Sequence, residues 1–259
     1  MDEKVAQQKQ HFNEIAELYE RARQHPNHLK LKELIWGRFF RGGLTVSNDP
    51  VRVLEPMCGF ADGYDILSKH VSQSIDYSGF DYSDEVVCRL KSNRPGHNVW
   101  QQDVSKFSSD RQFDIIILLG GLHHVPHVAS NVVSSLADSL ADGGYFINLE
   151  PTHGNLVFQK IRQRIYDRNP LFDEETERAF SVGELSSFFT DAGLHCELAM
   201  YPGLLAYTLY YNPDAFPRLN IGTPTTVNAI WTLEKPFVNT WIAKKLSFAT
   251  MSLWRKPAA

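Results

Sequence analysis

Two adjacent histidines, His123 and His124, follow the glycine pair Gly120-Gly121. Those glycines close the strongest apolar run of the chain, Phe113 to Leu119. Histidine is the side chain best suited to take a proton near neutral pH. A carboxylate, Glu150, closes a second apolar run, YFINLE, and is placed to orient one of the imidazoles. His127 and His153 read as surface or lid residues, and Asp114 as a turn or salt-bridge residue. Other acids and small residues stand at the ends of further short β-rich runs. Glu55, Gly59 and Ala61 follow VRVL, Asp81-Tyr82-Ser83 follows YSGF, and Asp103-Val104 follows residues 98–101. In an open α/β sheet, ligands bind outside the carboxyl ends of the strands, so these groups converge if the runs are parallel strands. Asp81 lies 81 − 55 = 26 positions after Glu55. At that spacing its carboxylate can accept two hydrogen bonds from a ribose diol, as the acid does in dinucleotide folds.

The elements that must hold these groups follow from periodicity. FDIIILL is apolar without interruption, which implies burial on both faces, as in a parallel sheet. Strands at 51–54, 77–80, 98–101, 113–119 and 145–150 alternate with helical stretches, one of them carrying Val128, Val132, Val133, Leu136 and Leu140 on one face. Ala141 to Gly144 reads as a turn. Ser181 and Glu184 form a capping-box signature for a helix ending at Gly193, and His195–Met200 and Phe248–Trp254 read as two late strands. The first 45 residues look helical, broken at Pro26-Asn27 and stopped at Gly42-Gly43. The expected fold is α/β: a Rossmann-like doubly wound sheet of about seven strands, mostly parallel, the last antiparallel, with helices on both faces. We read residues 1–259 as a single domain, with a helical cap at 1–45, a cofactor-binding core at 48–200, and a lid insertion and final strand at 201–259. The aromatic, irregular stretches 153–180 and 203–245 are where a binding lid would arise, though at least half of Tyr201, Tyr207, Tyr210, Tyr211, Phe216 and Trp231 should be core.

In order along residues 48–200, VLEPMCGFADG, GFDYS, QQDVSKF, FDIIILLGGLHHV and DGGYFINLE resemble the motifs of the class I S-adenosylmethionine-dependent methyltransferases. That resemblance implies S-adenosyl-L-methionine as cofactor, with S-adenosyl-L-homocysteine as product. It implies cofactor contacts from Tyr19 of the N-terminal helix and from Glu55, Met57, Gly59 and Ala61 of the first motif. Asp81, Tyr82 and Ser83 would serve the ribose and adenine, Asp103 and Val104 the adenine edge, and Leu119 and Gly120 the rim after the fourth strand. The LHH pattern with an acid after the fifth strand resembles small-molecule and sugar O-methyltransferases of natural-product pathways, in which matching histidines and acid act together. Here these are His123, His124 and Glu150. Met57 and Ala61 stand where the family usually has glycine, and Met57 brings a side chain to a place where backbone normally approaches the ligand.

Several classes are excluded or disfavoured. The triplet G-x-G-x-x-G of nicotinamide enzymes is absent after the first strand. Twenty-six basic against thirty acidic residues give a formal charge of −4, a poor match to nucleic acid. Three scattered cysteines, Cys58, Cys88 and Cys196, argue against a disulfide framework, and no Cys/His cluster suggests a metal. Neither a secretory h-region nor a membrane-length apolar run is present, so the expectation is a cytoplasmic protein without a membrane span. A small-molecule acceptor is the expected partner, and monomer and homodimer stay open. N- or C-methylation, methylation of a protein, and non-methylating chemistry such as a cyclisation remain the rival readings.

Overall fold

The computed structural model describes residues 21–166, 178–213 and 216–258. Strands β1 (Val51–Pro56), β2 (Ile75–Asp81), β3 (Asn98–Gln101), β4 (Phe113–Leu119), β5 (Leu140–His153), β7 (His195–Met200) and β8 (Ala249–Arg255) form one sheet, in the order β3-β2-β1-β4-β5-β8-β7. A two-residue strand, β6 (Phe180–Ser181), pairs with the end of β5. β1 to β5 are mutually parallel, and β8 runs antiparallel to both β5 and β7. The strand order reverses between β1 and β4, which opens a crevice at their carboxyl ends.

Burial explains why these runs are strands. Along β4, Ile115 and Ile117 join one apolar cluster, while Ile116 and Leu118 join another on the opposite face. The first cluster is covered by α1 (Pro26–Phe39) through Leu31, Ile35 and Trp36, and by α2 (Asp62–His70) through Ile66 and Leu67. The second is covered by α4 (Ala129–Asp138) and α6 (Val182–Asp191). Helix α3 (Asp84–Asn93) links β2 to β3. Beyond β5 lie α5 (Leu156–Tyr166), α7 (Leu205–Tyr210), α8 (Pro224–Glu234) and α9 (Trp241–Leu246).

The helix signals hold. Pro26 opens α1 at its first turn, and Gly43 (φ 74°) follows the short 3₁₀ turn that ends it. Both hydrogen bonds of the Ser181–Glu184 capping box form, and Gly193 (φ 79°) lies just past α6. Two boundaries differ from the sequence expectation. Ala141 to Gly144 is not a free turn but belongs to β5, which starts at Leu140 opposite Phe113 and continues across an irregularity in register. Leu140 therefore sits in the strand rather than on the preceding helix, although it packs in the same cluster. Of the late aromatic residues, Tyr201, Tyr210 and Trp231 are core, while the partly buried Tyr207 and Tyr211 stack with centroids 4.3 Å apart. Tyr19 and the central part of the 153–180 stretch lie outside the described residues.

Candidate active site

The turn after β1 is an unusual piece of backbone. Met57 (φ 52°), Gly59 (φ 50°) and Ala61 (φ 64°) all take left-handed conformations within five residues. Such a conformation is routine for glycine and costly for other residues, so the surroundings must over-determine it. They do so from two sides. The Cys58 amide donates to the Phe80 carbonyl at 2.9 Å, and the Gly59 amide donates to Asp81 Oδ2 at 3.1 Å. The side chain of Met57 does not crowd this turn outward. It lies against Gly121, where an added Cβ would come 2.7 Å from Met57 Sδ. Among the described residues, a Cβ on Gly59 would meet nothing within 4 Å, and one on Gly120 (φ 65°) only His123 Cε1 at 3.7 Å. Among the described residues, open space therefore faces the ends of both β1 and β4.

Glu55 is turned the other way. Its carboxyl accepts from the Gly63 amide at 2.7 Å, the Tyr64 amide at 3.2 Å and the Tyr77 hydroxyl at 2.8 Å. It thus satisfies the first amides of α2 from the strand below, the role an N-cap residue usually fills. A Cβ at Gly63 would overlap both Glu55 and Ile117, which explains the glycine there. Burial pushes Glu55 up to about 8, against the pull of its three hydrogen-bond donors. Through these contacts Glu55 holds the turn in place. Ser83 is engaged with backbone in the same way. It is fully buried, and its hydroxyl accepts from the Val86 amide at 3.1 Å as the N-cap of α3.

Asp81 sits at the end of β2 with Oδ1 on the Ser83 amide at 3.0 Å and Oδ2 on the Gly59 amide at 3.1 Å. The Tyr82 amide acts on the same carboxylate, and acceptor capacity remains for a ligand hydroxyl. Burial raises its pKa, while these amides and the nearby His124 pull it back. Asp103 caps the short 3₁₀ turn after β3, accepting from the Ser105 amide at 2.9 Å and the Ser105 hydroxyl at 2.7 Å. Val104 beside it is buried. Tyr82, Leu119 and Gly120 are half-buried at the strand ends.

The histidine pair sits on a 3₁₀ turn, Leu122–His124, directly after β4. Glu150, fully buried on β5, organises that turn. Oε1 accepts from the amides of Gly121 at 2.9 Å and Leu122 at 2.8 Å, and Oε2 from the His123 amide at 3.3 Å. The same Oε2 lies 2.9 Å from His123 Nδ1. A carboxylate only accepts, so it selects the tautomer with hydrogen on Nδ1 and leaves the lone pair on Nε2. The His124 ring lies against that of His123, with centroids 3.9 Å apart. The structure thus brings together His123 with Glu150 and His123 with His124.

One group escaped the sequence reading. Lys32 of α1 reaches Asp62, the first residue of α2, at 2.7 Å. Burial raises the Asp62 pKa, but the charges of Lys32 and Arg23 outweigh it and hold the carboxyl below its usual range. His28, one helical turn before Lys32, is buried with Nδ1 on the Tyr211 carbonyl at 2.7 Å. Burial and the charge of Arg23 lower His28 to about 3, so it is neutral. The i, i+4 spacing of His28 and Lys32 was the available signal for a polar face on α1. Asp114 is structural, as expected: Arg52 forks onto it at 2.6 and 3.0 Å, joined by Asn48 at 2.7 Å. Among the described residues, no group of three or more His, Cys, Asp or Glu side chains is placed to hold a metal ion. Nor is any helix long and apolar enough to cross a membrane.

The family model described as "Methyltransferase domain" matches residues 8–198. No curated protein matches the sequence. Solved structures share the fold at low identity. An S-adenosylmethionine-dependent methyltransferase from Clostridium acetobutylicum is 13% identical with a TM-score of 0.60, covering 95% of this chain and 99% of that one. The DhpI-SAM-HEP complex is 19% identical with a TM-score of 0.55, covering 76% and 92%. The [4+2]-cyclase SpnF is 17% identical with a TM-score of 0.59, covering 90% and 81%.

Proposed function

The chain belongs to the methyltransferase-domain family, and from that premise we propose that it is an S-adenosylmethionine-dependent O-methyltransferase of a small molecule, with His123 as general base. The observation that carries the base assignment is the 2.9 Å contact between His123 Nδ1 and Glu150 Oε2. We read residues 1–259 as one catalytic unit.

The residues present fit the cofactor. The open space over Gly59 and Gly120 lets a ligand approach backbone, and Asp81 keeps acceptor capacity for a ribose diol. Asp103 and Val104 would serve the adenine, with Tyr82 near its face, and Met57, Ala61 and Leu119 would line the sulfonium side. When bound, the cofactor supplies an electrophilic methyl group. The protein must then place the acceptor oxygen in line and remove its proton as it attacks. Positioning supplies part of the barrier reduction, up to about 7–11 kcal/mol in favourable cases. Glu150 keeps the His123 lone pair on Nε2, ready for the hydroxyl proton, and stabilises the imidazolium that forms. His124, beside Asp81, couples the base to the cofactor end of the site.

The test is release of S-adenosylhomocysteine with candidate acceptors, comparing wild type with His123→Ala and His124→Ala. We expect His123→Ala to lower turnover by roughly 10²–10⁴-fold with cofactor affinity retained. If both variants turn over normally, the base lies elsewhere and an amine acceptor becomes the better reading. Cofactor binding without any transfer, together with product rearrangement, would favour the non-methylating alternative.

A further inference from the structure

Beyond the site, one face of the molecule is apolar and basic at once. The turn that leads into α5 packs on the end of α9: the Asn155 side chain donates to the Lys245 carbonyl at 2.6 Å, and a side chain at Gly154 would overlap the backbone of Lys244 and Lys245. On this pair, Leu156, Val157, Ile161, Trp241, Ile242 and Leu246 are all exposed, from 40% at Ile161 to 74% at Leu156. A soluble surface tolerates single exposed apolar residues, but a contiguous group marks an interaction site. On the two helices themselves the charge has one sign. Lys160 and Arg164 on α5 and Lys244 and Lys245 on α9 are exposed beside these side chains. Neither residues 151–166 nor residues 235–259 contain an aspartate or glutamate, in a chain whose formal charge is −4. Lys245 Nζ sits 5.3 Å from the Trp241 ring centroid, a tryptophan and a cation presented together.

Trp with aliphatic residues below and lysines around them is the composition of surfaces that lie in the plane of a bilayer. The lysine stems cover apolar surface while their ammonium groups reach outward. An acidic macromolecule would match the charge but leave the tryptophan and aliphatic side chains unmatched. The position also matters. β5 carries Glu150 and ends at His153, and α5 begins 156 − 153 = 3 residues later, so the face follows the strand whose carboxylate orients the base.

We propose that the α5–α9 face seats the protein on an anionic phospholipid surface, and that the acceptor is an amphipathic molecule carried in that bilayer. The second half rests on the methyltransferase reading above; the first does not. The docking test is co-sedimentation of the full chain with vesicles of phosphatidylcholine alone and of phosphatidylcholine with phosphatidylglycerol. The expected result is binding to the anionic vesicles only, weakened by salt. Lys244→Glu with Lys245→Glu should weaken it by about tenfold or more, and Trp241→Glu should weaken it at every salt concentration. Thermal melting and calorimetric cofactor binding show that the variants fold. Wild type that ignores anionic vesicles overturns the docking. So does equal binding by the variants, or binding to a polyanion such as heparin that outcompetes vesicles and ignores Trp241. For the acceptor, methyl label from S-adenosylmethionine should enter the organic phase of a membrane extract. Label found only in water-soluble material overturns that half. If wild type docks but binds no cofactor, the methyltransferase reading falls and the docking stands.

Discussion

Replacing Glu150 with glutamine preserves the shape of the side chain but disrupts its role at a definable atom. The carboxylate accepts from three backbone amides, of Gly121, Leu122 and His123, and faces His123 Nδ1. A glutamine can keep its oxygen on the Gly121 and Leu122 amides. Its NH₂ then faces the His123 amide, donor against donor, at a fully buried position. A buried donor left unsatisfied costs about 1–3 kcal/mol, so the variant should lose that much stability. The larger effect is on the imidazole. The new NH₂ can only donate to Nδ1, which drives the proton from Nδ1 to Nε2 and turns the base lone pair away from substrate. Turnover should fall by roughly 10²–10⁴-fold, equivalent to about 2.7–5.5 kcal/mol of transition-state stabilisation. Cofactor affinity should be retained, because Asp81 and the β1 turn are untouched. The tautomer can be read without any acceptor, from long-range ¹H–¹⁵N correlations of the imidazole in wild type and variant. If the variant keeps hydrogen on Nδ1 and keeps its turnover, the dyad argument is wrong and Glu150 is only a scaffold for the 120–123 turn.

Two further outcomes follow from the strand ends. Asp81→Asn should weaken S-adenosylmethionine binding by about 1.5–3 kcal/mol, the worth of a hydrogen bond to a charged group, measured by titration calorimetry; unchanged affinity would remove Asp81 from the ribose. Glu55 is an acid whose folded pKa, about 8, lies above its ordinary value of 4.5. Its contribution to stability is therefore complete below about pH 4.5 and is lost as pH rises toward 8. Glu55→Gln should flatten that part of the stability–pH curve in chemical denaturation, and an unchanged slope would show that Glu55 is ionised in the fold.

The sequence made the centre of the sheet readable because a parallel strand buried on both faces appears as an unbroken apolar run, whereas the edge strand β3, with Asn98 and Gln101 exposed, gives only a weak signal. FDIIILL is the clearest case, its isoleucines dividing between two clusters. The start of β5 was not readable, because Ala141-Asp142-Gly143-Gly144 has turn composition and lies in the register irregularity between the Leu140 and Tyr145 pairs, tied to the chain after β8 by hydrogen bonds between Gly143, Gly144 and Lys256. At the site, position was readable and direction was not. Glu55, Asp81 and Glu150 all stand at or near the carboxyl ends of strands, yet Glu55 turns inward to α2 while Glu150 turns to the histidine turn. Which amide each carboxylate meets depends on residues far away in sequence. The polar contact between α1 and Asp62 was hidden for the same reason: His28 and Lys32 acquire meaning only once α2 is placed opposite them.

The departure at Met57 shows how such long-range fit lets a motif vary. A side chain in a left-handed turn beside a ligand should be excluded twice, by backbone strain and by space. The strain is held by neighbours on β2: the Phe80 carbonyl and the Asp81 carboxylate fix Cys58 and Gly59 on either side of the turn. The space is found on the far side of the crevice, where Gly121 has no side chain and Met57 Sδ fills the gap beside Leu118. The two glycines after β4 thus do different work. Gly120 is there for its positive φ, and Gly121 makes room for a residue 64 positions earlier (121 − 57). Methionine suits this place because its unbranched thioether can bend into an irregular gap, whereas a β-branched residue at φ 52° could not adopt the turn at all. The methionine therefore leaves the ligand-facing side of Gly59 open, and the glycine lost at position 57 is matched by the glycine kept at 121.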